Sequence, residues 1–386
     1  MYSLEAVANL SLQDKVGILK MGTTWPLPEN FVLKNLKKTD RILFIEEVDP
    51  FLENNVKETY AQNCIALGLK SFFGKASKDV PEVGELNPEI VTHAIQKLLN
   101  VSYEPRPADY VQRVHEAASE IVPARALGFC AGCPHRATYW AVKVALALDG
   151  RGGFVLGDIG CYSLGAGPSG FGQMKTLHAM GSGAGLACGF GQLDRFGLEQ
   201  PVVAVCGDST FYHAAMPALV NAYYNGSNFL LLVLDNSATA MTGFQPHPGT
   251  GSTATGETAP VVDLKTICEG FGARVEGVDP FDVSATVEAI LRLLQDEKGV
   301  KVLILKRECA LVSAKKQKSL YKVEVDQERC LGEGCGCNRL CTRIFKCPGL
   351  MWDSTTEKAR IDEAICTGCG VCAEICPASA IRKEVA

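Results

Sequence analysis

Charge of one sign is scarce in this 386-residue chain, where 38 Lys and Arg against 43 Asp and Glu leave a formal net charge of -5. No run of Lys or Arg is long enough to track a phosphate backbone, which excludes nucleic acid and an anionic membrane as expected partners. Nor is there a stretch of 18 uninterrupted apolar residues, so no membrane-spanning helix is read. The opening MYSLEAVANLSLQDK lacks a basic stretch followed by an apolar one, so no export signal is read and a cytoplasmic location is expected. Low-complexity tracts and long repeats are missing as well, which excludes solenoids and disordered tails. What remains is a chain with 47% hydrophobic residues, enough for ordinary buried cores in two or three domains.

Cysteine, by contrast, is abundant, and nine of the 17 fall between Cys330 and Cys376. Without an export signal such clustering points to metal rather than disulfides. Cys366-x2-Cys369-x2-Cys372-x3-Cys376-Pro377 is the bacterial ferredoxin run, in which three thiols hold one 4Fe-4S cubane and the fourth reaches to its neighbour. Zinc sites usually set two short Cys pairs a dozen or more residues apart, so zinc is the weaker reading. Upstream stand Cys330, Cys335, Cys337, Cys341 and Cys347-Pro348, five thiols for four places. By the swapped-ligand rule Cys347 joins Cys366, Cys369 and Cys372. Cys376 then joins Cys330, Cys341 and either Cys337, which is preferred on spacing, or Cys335, and a degenerate first motif with a single cluster is the alternative. The remaining cysteines (Cys64, Cys130, Cys133, Cys161, Cys188, Cys206, Cys268 and Cys309) read by default as small buried apolar residues, with Cys133 and Cys161 as candidate exceptions.

Periodicity divides the chain in three. Residues 1–115 alternate short apolar runs (VGILKMG, RILFIEEV) with helical patterns (ENFVLKNLKK, PFLENNVKETYAQ) and close on PEIVTHAIQKLL, a small α/β domain. YEPRPADYVQR reads as a connector. In residues 116–315 the runs GGFVLG, PVVAVCG, NFLLLVLD and KVLILKR are near-continuously apolar. That is expected of a parallel sheet covered on both faces, with HRATYWAVKVALAL and DVSATVEAILRLLQDE as covering helices. Residues 322–386 form the cysteine-rich domain.

In the middle domain PVVAVCGDST ends a strand at Gly207-Asp208-Ser209, a helical TFYHAAMPALVNAYYNG follows, and the next strand ends at Asp235-Asn236. This unit sets Asp208 and Asn236 at the carboxyl ends of two parallel strands, where α/β sheets bind ligands. A hard cation such as Mg2+ takes oxygen ligands from one or two protein groups plus phosphates. Asp208, Asn236 and the Ala238 carbonyl would suit a diphosphate-bound ion, with helix N-termini and close-approach glycines completing the cradle. An Asp and an Asn 28 positions apart resemble the GDG-x(about 26)-N motif of thiamine diphosphate enzymes, with Ser209 in place of the last Gly.

The blocks CAGCPHR (Cys130 to Arg136), GDIGCYSLG (Gly157 to Gly165), HAMGSGAG (His178 to Gly185) and GDSTF with DNSATAMTGFQPHPGTG (Gly207 to Gly251), in this order before a double-cluster tail, resemble indolepyruvate:ferredoxin oxidoreductase large subunits of the 2-oxoacid:ferredoxin oxidoreductase superfamily. The front segments GILKMGTTWPLPE and IEEVDPFLE fit as well. The resemblance implies a thiamine diphosphate-binding, doubly wound parallel sheet. It is preceded by a transketolase C-terminal-like α/β domain and followed by a two-cluster ferredoxin domain. It implies Mg2+ on Asp208, Asn236 and Ala238, and cofactor walls from Gly157, Asp158, Gly160, Cys161, Met180, Gly181, Gly207 and Ser209. Cys133, His135, Cys161 and His178 become candidate catalytic residues, and His213 and His247 further candidates for proton donation or for binding a substrate carboxylate. No block resembles the family's pyrimidine-binding domain, of about 200 residues by the usual domain scale, and Glu46 and Glu47 lie outside any such motif. A partner chain is therefore expected to bring that domain and its activating glutamate, alongside a small (beta-type) subunit, ferredoxin, coenzyme A and a 2-oxoacid, an aryl pyruvate such as indolepyruvate. Two alternatives are a non-oxidative 2-oxoacid decarboxylase and an electron-transfer or assembly subunit with a vestigial pocket.

Overall fold

The computed structural model describes the chain apart from residues 105, 122–126, 297, 317–318, 335–336 and 386, and it divides into two compact units, Met1–Ala124 and Arg125–Ala386. In the first unit, helices α1 (Tyr2–Asn9), α2 (Glu29–Leu36), α3 (Phe51–Leu67), α4 (Pro88–Leu99) and α5 (Ala108–Ile121) accompany two short strands. These strands, β1 (Arg41–Leu43) and β2 (Ser71–Phe73), pair in parallel. α4 spans the residues its periodicity predicts: Asn87 caps its start by accepting from the Ile90 amide at 2.9 Å, and Asn100 ends it in the left-handed region. Of the apolar run RILFIEEV only the first three residues pair, and VGILKMG carries no regular structure. The expected connector becomes α5, so the first unit ends after this helix instead of inside it. Glu46 accepts from the Leu52 and Glu53 amides at 2.7 and 2.9 Å, and Glu47 from the Leu86 amide at 3.0 Å. Both carboxylates therefore serve the backbone at turns and at the start of a helix.

The second unit is built on a parallel sheet of six strands, β3 (Phe154–Gly157), β4 (Met174–Leu177), β5 (Val202–Gly207), β6 (Phe229–Asp235), β7 (Arg274–Val278) and β8 (Val300–Lys306), in the order β4-β3-β5-β6-β8-β7. The central strands β5, β6 and β8 are buried almost throughout, hence their unbroken apolar runs. The edge strands β4 and β7 carry Lys175, Thr176, Arg274 and Glu276, and without a second buried face they leave no such run to read. One face is covered by α6 (Pro134–Asp149) and later by α11 (Val283–Gln295); α7 (Ser182–Phe190) lies on the other. The stretch after β5 is not one helix. It runs from α8 (Asp208–Thr210) through a wide turn at Phe211–Ala215 into α9 (Met216–Asn225). Pro217 has no N–H to return to His213, and the ladder widens there. α10 (Leu264–Gly270) and α12 (Ala310–Lys316) complete the helices of the sheet region.

The cysteine-rich segment comprises β9 (Tyr321–Val325), β10 (Leu350–Asp353), β11 (Lys358–Ile361), α13 (Val371–Ile375) and β12 (Ile381–Val385). β9 pairs with β12 and β10 with β11, both antiparallel. It is not a separate globule: Phe345, Leu350, Val371 and Ile375 share one continuous apolar core with Phe129, Trp140 and Ile290 of the sheet region. Trp140 meets Phe345 edge-on at 5.9 Å, and Glu374 accepts from the Val283 amide at 3.0 Å. Among the described residues no helix is long and apolar enough to cross a membrane.

Candidate functional site

The carboxyl ends of β3, β5 and β6 gather most of the expected residues. Asp208 and Asn236 are 3% and 6% exposed, and Ala238 is buried beside them. Asp208 accepts from the Ser209 amide at 2.8 Å and meets His247 Nε2 at 3.0 Å. Because His247 Nδ1 accepts from the Gly249 amide at 3.2 Å, the neutral ring carries its proton on Nε2 and donates it to Asp208. Asn236 is held from both ends. Its Nδ2 lies 3.3 Å from His135 Nε2, and its Oδ1 accepts from the Ala238 amide at 3.2 Å. Burial pushes the His135 imidazole down to about 4, outweighing the pull of the Asp208 charge. A neutral His135 accepts from Asn236 and so fixes the amide with its oxygen toward residue 238.

Asp235, which the sequence reading passed over, adds a second carboxyl beside Asp208; burial and the Asp208 charge push it above the usual carboxylate range. A buried carboxylate, an amide oxygen and a backbone carbonyl are hard donors of the kind Mg2+ takes, and Lys306 pairs with Asp235, on the neighbouring position, at 3.6 Å.

The wall of the site is fastened by Asp158, fully buried in the loop after β3. It accepts from the Gly181 and Gly183 amides at 3.0 and 3.3 Å, and from the Tyr162 hydroxyl. Burial raises its carboxyl, and these hydrogen bonds oppose the rise. Gly181 enters α7 with φ +84°, and a Cβ there would stand 2.9 Å from the Ala214 Cβ. Only glycine fits this close approach, and the amino end of α7 is tied to Asp158 through the Gly181 and Gly183 amides. Gly157, Gly160 and Gly207 press against Met174 and Tyr162 in the same wall, where any Cβ would collide. Ser209 is buried in α8, whereas His178 and Met180 beyond β4 and His213 in the wide turn are exposed.

Cys133 precedes α6, whose first residue is Pro134, and burial pushes its thiol up to about 12. Cys161 opens the turn after Gly160, and burial raises it as well. Cys130 and Cys309 lie near enough to act on both thiols. Of the cysteines read by default as buried, Cys188, Cys206 and Cys268 are so, whereas Cys64 and Cys130 are exposed and Cys309 is half-buried. A scattered cysteine has no local sequence partner, so its convergence on a site is invisible before folding.

Two further cavities lie in the cysteine-rich segment. Cys330, Cys337, Cys341 and Cys376 line one, and Cys347, Cys366, Cys369 and Cys372 line the other. Cys335 lies outside the described residues. Among the described residues no three His, Cys, Asp or Glu side chains converge as a single metal ion requires. Gly132, at the tip of the Cys130–Cys133 loop, lines the second cavity. This loop and the first turn of α6 therefore separate the two sites, with Gly132 against the four-thiol cavity and His135 against Asn236.

A profile of the family described as thiamine pyrophosphate enzyme, C-terminal TPP binding domain, matches residues 158–305, and one described as 4Fe-4S binding domain matches residues 359–382. The chain thus carries a thiamine diphosphate-binding domain and an iron-sulfur domain. Over 99% of its length it is 38% identical to indolepyruvate oxidoreductase subunit IorA of Thermococcus kodakarensis. It is 37% identical, again over 99%, to the subunit of the same name in Pyrococcus horikoshii. It spans 58% of the length of these curated relatives. A solved 2-oxoglutarate:ferredoxin oxidoreductase from Magnetococcus marinus aligns over 48% of this chain and 66% of that one, with 19% identity and a TM-score of 0.41.

Proposed function

The chain belongs to the 2-oxoacid:ferredoxin oxidoreductase superfamily, and we propose that it is the diphosphate-binding and electron-carrying part of a cytoplasmic enzyme that oxidatively decarboxylates a 2-oxoacid to acyl-CoA and CO2. The observation that carries this reading is the shared loop: one short segment touches both the Asp208–Asn236 site and a four-thiol cavity. A pocket for a diphosphate cofactor alone would not need a conductor at its back.

Asp208, Asn236 and Ala238 would hold Mg2+ and through it the diphosphate of thiamine, with His247 and His135 fixing the first two. Gly157, Asp158, Gly160, Cys161, Gly181, Gly207 and Ser209 would form the wall, with Met180 at its rim. Cys133 and His135 would face the reacting carbon, and the burial of His135 keeps water scarce there. A raised thiol and a neutral imidazole hold no net charge of their own, so they can donate or accept a hydrogen bond without competing with the substrate carboxylate. Bound thiamine diphosphate supplies a nucleophilic carbon that lets a 2-oxoacid lose CO2 and give up two electrons. Two 4Fe-4S clusters, one on each four-thiol set, would take these singly and pass them to ferredoxin. The substrate reading is an aryl pyruvate such as indolepyruvate, with coenzyme A as acyl acceptor. A partner polypeptide with the pyrimidine-binding domain and its glutamate, and a small subunit, would complete the complex. The domain division proposed is a small α/β unit, the sheet domain and the ferredoxin domain.

The test is anaerobic purification of the chain with its partner polypeptides, followed by viologen reduction with aryl and branched 2-oxoacids plus coenzyme A. Reduction should depend on the 2-oxoacid and vanish in Asp208→Ala together with thiamine binding. Aldehyde formation without viologen reduction, or full activity in Asp208→Ala, would refute the reading.

A further inference from the structure

The first turn of α6 holds two buried basic residues that look in different directions. His135 reaches Asn236. Its neighbour Arg136, 2% exposed, donates from Nη1 to the Phe345 carbonyl at 2.8 Å and from Nη2 to the Phe129 carbonyl at 2.6 Å. Its guanidinium lies over the rings of both phenylalanines, 5.7 and 5.8 Å from their centroids. Nε has no hydrogen-bond partner, and among the described residues no carboxylate pairs with the charge. A guanidinium stays protonated even when buried, so its charge needs an anion nearby. Two carbonyls and two ring faces are partial answers only.

The groups that do surround it are thiols. Cys347, Cys133, Cys130 and Cys369 all lie near enough to act on Arg136, and Cys347 and Cys369 line the second four-thiol cavity. Phe345, which receives Nη1, stands two residues before Cys347. Gly132, with φ +66°, lies so close to Thr367, between Cys366 and Cys369, that a Cβ would run into its side chain. The whole 129–136 segment is thus pressed onto the loops that carry this thiol set.

We propose that Arg136 is the buried counter-charge of the cluster held by Cys347, Cys366, Cys369 and Cys372, positioning its loops against α6 and raising its reduction potential above that of an otherwise equal cluster. This rests on the functional reading above and names the residue that tunes its electron path. Four thiolates around a cubane make a net anion, which supplies what the lone guanidinium lacks. Reduction adds one electron and breaks no bond, so the new negative charge is stabilised by whatever fixed cation stands beside it. Arg136 places that cation on the side facing the Asp208–Asn236 site, where the electrons would arrive. Arg136 bonds to Phe345, which lines the cavity of this set and not that of Cys330, Cys337, Cys341 and Cys376, so the other cluster should feel the change far less.

The experiment is an EPR-monitored redox titration of the anaerobically purified complex carrying Arg136→Met, Arg136→Gln or Arg136→Lys, with iron and sulfide counted. The two neutral variants should lower one cluster's potential by about a tenfold change in its reduction equilibrium, about 59 mV for one electron. The other cluster should stay put, and Arg136→Lys should remain close to the parent. Loss of one four-iron set in both neutral variants, with retention in Arg136→Lys, would support the counter-charge role equally. Fully loaded neutral variants with unmoved potentials overturn the proposal, as does an equal shift or an equal loss in all three, which would make shape rather than charge decisive. A parent complex that holds no cluster overturns the functional reading and this proposal with it, whereas clusters present with unmoved potentials overturn this proposal alone.

Discussion

Single side chains decide which thiols and which oxygens can act together. Five upstream cysteines compete for four places; Cys337 lines the cavity with Cys330, Cys341 and Cys376, Cys335 lies outside the described residues, and the spacing favours Cys337. Cys337→Ser should therefore remove about four iron atoms per chain and one EPR signal, whereas Cys335→Ser should retain both clusters. Anaerobic iron and sulfide analysis beside EPR of the reduced protein checks this, and the reverse pattern would reassign the ligand. The same scale explains His247. The sequence marks it as one of several loose histidines, yet its buried ring is spent on Asp208. A residue 39 positions from its partner leaves no local signal, and only the fold brings the pair together. Asp208 and Asn236 were readable because each ends an apolar strand, where the strand itself fixes their place.

Elements set the tolerance of the site. Gly181 caps α7 and Gly185 lies in its body, and the two glycines meet opposite surroundings. Gly181 sits at φ +84° with Ala214 atoms 2.9 to 3.1 Å from where a Cβ would be, while Gly185 in the helix body has nothing within 4 Å. Gly181→Ala should destabilise by about 2 kcal/mol, a melting temperature lower by about 4–8 °C, and should weaken diphosphate binding because the backbone shift away from Ala214 moves the amide that donates to Asp158. Gly185→Ala should be neutral or stabilise by about 0.4–1 kcal/mol. Thermal melts of the two variants beside thiamine diphosphate titration test the pair, and equal effects would mean that α7 is not held at its first turn. The inner strands and the helices α4, α6 and α11 were legible because burial on both faces, or along one stripe, dictates their residues. The edge strands β4 and β7, the widened turn at Phe211–Ala215 and helix α5 were not. Edge strands need no continuous apolar run, a single Pro217 widens a ladder that looks unbroken in periodicity, and α5 begins just after two prolines that read as a connector.

At the scale of the whole second unit, the iron-sulfur segment and the sheet are one folding problem. Phe345 stacks against Phe171 at 6.3 Å and meets Trp140 edge-on, while α11 receives Glu374 at the Val283 amide. Val371, Cys372 and Ile375 of α13 lie in the same apolar core as Val287 and Ile290 of α11. A segment of this size folds poorly without its clusters, because a small core gains much of its stability from bound metal. With the shared core, loss of the clusters should be felt as far as β5 and β6. Controlled oxidation that strips iron and sulfide should therefore lower the melting temperature of the sheet domain, read from far-UV circular dichroism and hydrogen exchange on residues 202–207 and 229–235. Deprotection should appear first around Arg136, whose charge would then lack its anion, and spread along α6 to Trp140. Two separate transitions, with the sheet melting at an unchanged temperature after the iron has gone, would show that the aromatic contacts touch without coupling. In that event the electron carrier could be replaced without disturbing the pocket, whereas a single shifted transition makes iron content a condition for the geometry at Asp208 and Asn236.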